Sequence, residues 1–139
     1  MKGTYLLMMM LRKETSIRVG KKGVICFQKG CYLYVGSAMN GLEQRIQRHL
    51  RSQKKIHWHI DYLLPYIEIV GIYYKETARK EECMVARMLA RNFTNIPGFG
   101  CSDCSCQSHL FFGSLDAFKK IAVSLRMEVY SRNEHIRSP

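Results

Sequence analysis

Gly3-Thr4-Tyr5-Leu6-Leu7-Met8-Met9-Met10-Leu11 is an unbroken apolar run with a polar start, and Cys31-Tyr32-Leu33-Tyr34-Val35 is a second, β-rich stretch that ends at Gly36. A strand buried in a sheet fits the first run. Leu and Met dominate it, so propensity alone leaves a helix open. Between the two, Thr15 to Val19 alternates, Gly20-Lys21-Lys22-Gly23 punctuates, Val24 to Phe27 is β-rich, and Gln28-Lys29-Gly30 turns. That reads as strand, turn and strand closing at Gly36, with two or three antiparallel strands in the first 36 residues.

Beyond Gly36 the period changes. Leu42, Ile46, His49 and Leu50 follow helical spacing, so Gly41 to Ser52 is expected as a basic amphipathic helix, capped by Ser37 or Asn40. Trp58 to Leu64 has helical spacing up to Pro65, Ile67 to Tyr74 is a strand candidate, and Arg79 to Asn92 is a helix. Leu110 to Phe112 is a short strand candidate, and Ser114 caps a last helix to about Leu125. The end of the chain, with Asn133, Glu134 and Arg137, reads as frayed. The expected class is α+β: one domain, with a small antiparallel sheet covered by helices.

Composition narrows the partners. The chain has 139 residues, with 22 Lys and Arg against 11 Asp and Glu, a net charge of +11. Such an excess suits a polyanion, because neutralising phosphates releases their counterions. The run Tyr5 to Leu11 is too short to span a membrane, and Arg12 and Lys13 stand where a signal cleavage site would fall. A cytoplasmic location is therefore expected, with the six cysteines mostly thiols and no membrane partner.

Gly3-Thr4-Tyr5 and Tyr34-Val35-Gly36 belong together, and Arg45 and His49 follow one helical turn apart, pointing the same way. This set resembles the two halves of the GIY-YIG nuclease signature and the Arg-x-x-x-His helix behind it, over roughly residues 3–92. The spacing from Gly36 to Arg45 is about one residue longer than in typical members. More closely, the chain resembles a DUF123-like prokaryotic branch of that superfamily, common in archaea. That resemblance rests on Tyr34-Val35-Gly36-Ser37-Ala38, His57-Trp58-His59-Ile60-Asp61-Tyr62-Leu63, Pro97-Gly98-Phe99-Gly100, Ser102-Asp103-Cys104-Ser105-Cys106 and Ser108-His109-Leu110-Phe111. With the core at 3–92, the Cys-containing loop and last helix fill 97–125 of the same domain.

The resemblance implies a metal-dependent DNA endonuclease, acting in DNA repair, with one Mg²⁺ or Mn²⁺ ion. Tyr5 or Tyr34 would take the proton from water, Arg45 would clamp the phosphate, and His49 would orient the tyrosine or shuttle a proton. A free tyrosine titrates near pH ~10, so either base needs activation. The family carries its metal glutamate on the helix at Arg79 to Asn92. The candidates are Glu81 and Glu82, while counting back from Pro97 falls nearer Arg87, which cannot bind a cation. Either Glu82 serves one turn early, or the metal site is lost and the fold is an inactive nucleic-acid-binding module.

Other residues carry smaller signals. Arg48, Arg51, Lys54 and Lys55 extend the basic helix as a surface that would track a nucleic acid backbone. Trp58 and Tyr62 suit either base stacking or core packing. His57, His59 and Asp61 form a second cluster, in which Asp61 would orient His59, bind a metal or simply cap a helix. Cys101, Cys104, Cys106 and His109 offer four zinc donors within nine residues, a strained way to close a tetrahedron, so buried thiols are the competing reading. Cys26, Cys31 and Cys83 read as core-facing. No base-reading module is evident, so specificity falls to DNA structure, an oligomer or a protein partner.

Overall fold

The computed structural model describes residues 1–52, 54–101 and 106–131. Cys104, Asn133, Glu134 and Arg137 lie outside them. Among the described residues a six-stranded antiparallel sheet is flanked by four α-helices, so the α+β architecture expected from the sequence is the one observed.

Strand β1 (Gly3–Leu11) is central, hydrogen-bonded to β4 (Gly30–Ala38) on one side and β5 (Glu68–Glu76) on the other. That position explains its composition. A strand with neighbours on both edges and helices on both faces has no side that can be polar. Tyr5, Leu7, Met9 and Leu11 face α1 (Leu42–Leu50) and α2 (His59–Leu63), in a core with Tyr32, Tyr34, Leu42, Ile46 and Ile60. Leu6 and Met8 face α3 (Glu82–Ala90) and α4 (Leu115–Ser124), with Leu33, Val35, Val85, Leu89 and Phe118. Strand β7 (Leu110–Gly113) pairs with β4, β6 (Thr94–Asn95) with β7, and β8 (Glu128–Val129) with β5. Ser114 caps α4, its Oγ accepting from the Ala117 amide at 3.1 Å. No helix among the described residues is long and apolar enough to cross a membrane.

Three local expectations change. Val24 to Phe27 does not pair with the stretch after it: β3 (Val24–Phe27) pairs with β2 (Thr15–Arg18) in a separate two-stranded sheet, and β4 returns to β1 instead. Joining β4 to a nine-residue apolar strand buries far more surface than a short hairpin would. Cys26 is exposed on that small sheet, its thiol donating to Glu14 Oε1 at 3.0 Å, so it is not core-facing. The N-cap of helix α1 is Gly41, in the left-handed region at φ 69°, with no side-chain cap from Ser37 or Asn40.

Candidate active site

The register of β1 and β4 places the two tripeptides against each other. Tyr5 lies opposite Gly36 and Leu7 opposite Tyr34, so both phenols emerge on the face covered by α1. Both are buried, Tyr5 at 1% and Tyr34 at 7% exposure. Gly36 is required by this packing, because a Cβ there would overlap the end of the Tyr5 ring. A Cβ at Gly3 would overlap the Lys75 carbonyl and Leu42. The glycines thus clear space beside the tyrosine. Gly36→Ala is expected to lower unfolding free energy by about 1–3 kcal/mol, the usual range for overpacking. Urea denaturation measures it, and unchanged stability would show that the ring is not held.

Helix α1 turns Leu42, Ile46 and His49 inward at helical spacing, with Arg45 one turn before His49. His49 Nε2 lies 2.6 Å from the Tyr5 hydroxyl, and His49 is itself 2% exposed. Burial pushes its pKa down to about 3, and the charges of Arg48, Lys54 and Arg45 add to this against the opposing Asp61. The imidazole is therefore neutral at pH 7. When its proton sits on Nδ1, the Tyr5 hydroxyl donates to Nε2. Nδ1 has no hydrogen-bond partner among the described residues. Burial raises the Tyr5 phenol strongly, with the nearby Arg45 guanidinium pulling the other way, and raises Tyr34 as well.

The depressed His49 pKa has a consequence for stability. Between the unfolded value of about 6.5 and the folded value of about 3, the unfolded chain takes up a proton that the folded chain refuses. Stability is then fully present above pH 6.5 and declines as pH falls below it, by up to about 1.4 kcal/mol per unit. Denaturation at pH 7, 6 and 5 should show this slope in wild type and a shallower one in His49→Gln. Equal slopes would mean that another group governs acid sensitivity.

Arg45 is held rather than waving in solvent. Its Nη1 donates to the Ser37 carbonyl at 2.8 Å, and its guanidinium carbon lies 4.4 Å from the Trp58 ring centroid. Arg48 also reaches that ring at 4.4 Å, but its charge is committed elsewhere. Nη1 and Nη2 donate to Asp61 Oδ1 and Oδ2, each at 3.0 Å, and Nη2 also to the Lys55 carbonyl. Asp61 is buried and accepts from the amides of His57 and Trp58 as well. Burial alone would raise its carboxyl, yet Arg48 and those amides hold it below the ordinary range.

A cleft of about 450 Å³ opens where β1 begins and β4 ends. Tyr5, Tyr34, Arg45 and Trp58 line it, together with Lys80 just before α3, Glu82 at the start of α3 and His109 just before β7. Glu82 is its only lining carboxylate among the described residues. Glu82 Oε1 lies 3.1 Å from Lys80 Nζ, and Oε2 lies 3.7 Å from His109 Nδ1. Glu81 faces Lys75 instead, at 4.0 Å. Arg87 is exposed and lines a different hollow, beside Cys106 and Arg91.

The remaining sequence candidates disperse. His49 stands behind Tyr5 rather than lining the cleft. Arg48 braces Asp61 rather than offering its charge to a surface, so among the basic residues beyond Arg45 it is an internal tie. Lys54 donates to the His49 and Arg51 carbonyls, closing the C-terminus of α1, and burial lowers its pKa. Arg51 and Lys55 are exposed. His57 packs on Trp58 at 4.4 Å between ring centroids, while His59 Nδ1 accepts from the Gly100 amide at 2.8 Å. His59 thereby pins the Pro97-Gly98-Phe99-Gly100 loop, and it forms no cluster with His57. Asp61 serves Arg48, not His59. Cys101 donates to the Phe99 carbonyl at 3.6 Å, whereas Cys106 and His109 meet Cys83 of α3.

Two participants were not singled out by the sequence. Lys80 had a signal in the charge run Arg79-Lys80-Glu81-Glu82, which opens a helix at the cleft. The alliance of Cys83 with the Cys-rich loop joins residues 23 apart and had none.

Fold and cleft together define a basic α+β domain whose sheet ends in a pocket of two tyrosines, an arginine and a glutamate. The chain belongs to the family described as domain of unknown function DUF123, whose model matches residues 4–130. No curated protein and no solved structure matches it.

Proposed function

We propose that this protein is a GIY-YIG-type endonuclease that hydrolyses phosphodiester bonds in DNA. One observation carries the reading: Tyr5 of β1, Tyr34 of β4, Arg45 of α1 and Glu82 of α3 come from four separate elements to one cleft. The net charge of +11 supports a phosphate-bearing substrate. The five cysteines among the described residues are thiols, in keeping with a reducing cytoplasm, where a role in DNA repair would be exercised.

Hydrolysis needs a deprotonated water, neutralisation of charge on the phosphoryl oxygens and a proton for the leaving oxygen. Arg45 is pre-oriented by Ser37 and Trp58, so it can grip two phosphate oxygens without first ordering its side chain. Burial opposes a free Tyr5 phenolate, and the Arg45 guanidinium beside it pulls the phenol back down toward a usable base. The Tyr5 phenolate would then take the water proton, while neutral His49, 2.6 Å away, holds the phenol oxygen in place. The new P–O bond forms as the bond to the sugar oxygen breaks, and that oxygen takes its proton from solvent. His49 is a positioning residue here, acting through Tyr5.

Glu82 is the residue that would hold a divalent cation. A single carboxylate suits Mg²⁺ or Mn²⁺, which keep most of their positions for water and phosphate oxygens. Such an ion, when bound, would neutralise charge on the phosphoryl oxygens.

A second reading has its own observation. Lys80 Nζ already pairs with Glu82 at 3.1 Å, which would suit a module that grips phosphate without cutting it. The deciding experiment is a panel of plasmid, single-stranded, flapped and abasic DNA, incubated with Mg²⁺, Mn²⁺ or EDTA. Metal-dependent cleavage establishes the nuclease and shows which DNA structure it prefers. Salt-sensitive binding without cleavage establishes the module.

A further inference from the structure

We propose that Cys83, Cys106 and His109 form a zinc site that ties α3 to the loop entering β7, just behind the cleft. The Cys83 thiol, the Cys106 thiol and a His109 ring nitrogen all lie within 4.8 Å of one another. Around a tetrahedral zinc ion, with bonds of about 2.3 Å to sulfur and 2.0 Å to nitrogen, neighbouring donors stand about 3.5–3.8 Å apart. His109 Nε2 lies 4.0 Å from Cys83 Sγ, about half an ångström beyond that spacing, and with every pair within 4.8 Å movements of up to about 1 Å close the set. Two thiolates and an imidazole exclude hard cations such as Mg²⁺ and suit zinc.

The donors come from two parts of the chain. Cys83 stands in the first turn of α3, while Cys106 and His109 precede β7. This removes the objection to a site closed within one short loop, because a helix supplies the second anchor. His109 is oriented for the task. Its Nε2 faces the Cys83 sulfur, and its Nδ1 lies 3.7 Å from Glu82 Oε2. A carboxylate behind the far nitrogen of a histidine is the usual way to fix the tautomer of a zinc ligand. His109 is 2% exposed, so its ring is already held by the fold. The three residues fill three of the four positions a tetrahedral ion takes. The site adjoins the divalent ion proposed in the cleft, since Glu82 faces both, but its donors are different residues, and it stands whether or not the protein cuts DNA.

The test is metal content of the full chain, purified in reducing buffer and measured by elemental analysis. Wild type should carry about one zinc per chain. Cys83→Ser and Cys106→Ser should each lose at least about tenfold in zinc affinity, while Cys31→Ser, outside the cluster, should keep the metal. Replacement with Co²⁺ should give a near-ultraviolet thiolate-to-metal band. Should the serine variants fail to fold, wild type alone decides. Chelation should then lower its melting temperature, and Zn²⁺ should restore it. A metal-free wild type with no cobalt–thiolate band overturns the proposal. So does full zinc content in both serine variants, or a mass short by two hydrogens that reveals a disulfide between Cys83 and Cys106.

Discussion

Arg45→Ala will lower the rate of DNA cleavage by about 10³-fold, the loss seen when a positioned cationic or oxyanion-binding donor is removed. The fold should survive. The substitution forfeits one hydrogen bond to the Ser37 carbonyl and one stacking contact on Trp58, together about 1–2 kcal/mol. Circular dichroism should therefore be unchanged while turnover collapses. Arg45→Lys sharpens the test, since lysine keeps the charge and loses the planar fork. If the fork matters, lysine should recover binding but little of the rate. Wild-type turnover in Arg45→Ala would remove the phosphate clamp from the proposed chemistry.

The second large effect falls on Glu82. Glu82→Gln should abolish metal-stimulated cleavage, by about 10³-fold or more, and leave salt-sensitive DNA binding equal or slightly tighter. The sign on binding follows from charge. Glu82 is the cleft's only carboxylate among the described residues, and removing it takes one negative charge from a cleft that Arg45 and Lys80 also line. A titration of rate against Mg²⁺ in wild type and variant reads the outcome directly. Equal Mg²⁺ response in both would reject Glu82 as the ion's ligand. All three zinc donors remain in this variant, so zinc should still bind, weakened by about 10–100-fold at most through loss of the carboxylate behind His109. The two metal proposals therefore fail separately.

The sheet was legible because its strands announce themselves locally. The apolar run from Gly3 to Leu11 is what a central strand requires, and the structure puts helices on both of its faces. Strand partners were less legible, since pairing is non-local. Val24 to Phe27 reads as a strand whichever neighbour it takes, and β2 proved to be that neighbour. Helical spacing correctly put Arg45 and His49 on one side of α1, but it could not say that Tyr5 would stand between His49 and the cleft. Arg48 looked like its basic neighbours. Only the fold reveals a buried Asp61 waiting for it, 13 residues on. The choice of Glu82 over Arg87 on the cleft side is likewise a matter of where α3 begins against the sheet, a distance no residue count supplies.

The central place of β1 also bears on how the chain is made. Of the sheet strands it leaves the ribosome first, yet its partners end at Ala38 and Glu76. At about 5–20 residues per second, the second edge stays unpaired for several seconds after β1 appears. Seven consecutive apolar residues, Tyr5 to Leu11, then sit exposed, the kind of segment that nascent-chain chaperones bind and that aggregates when synthesis is fast. Slower translation at low temperature should favour soluble protein, because the same strand that organises the finished sheet is its greatest liability before Glu76 arrives.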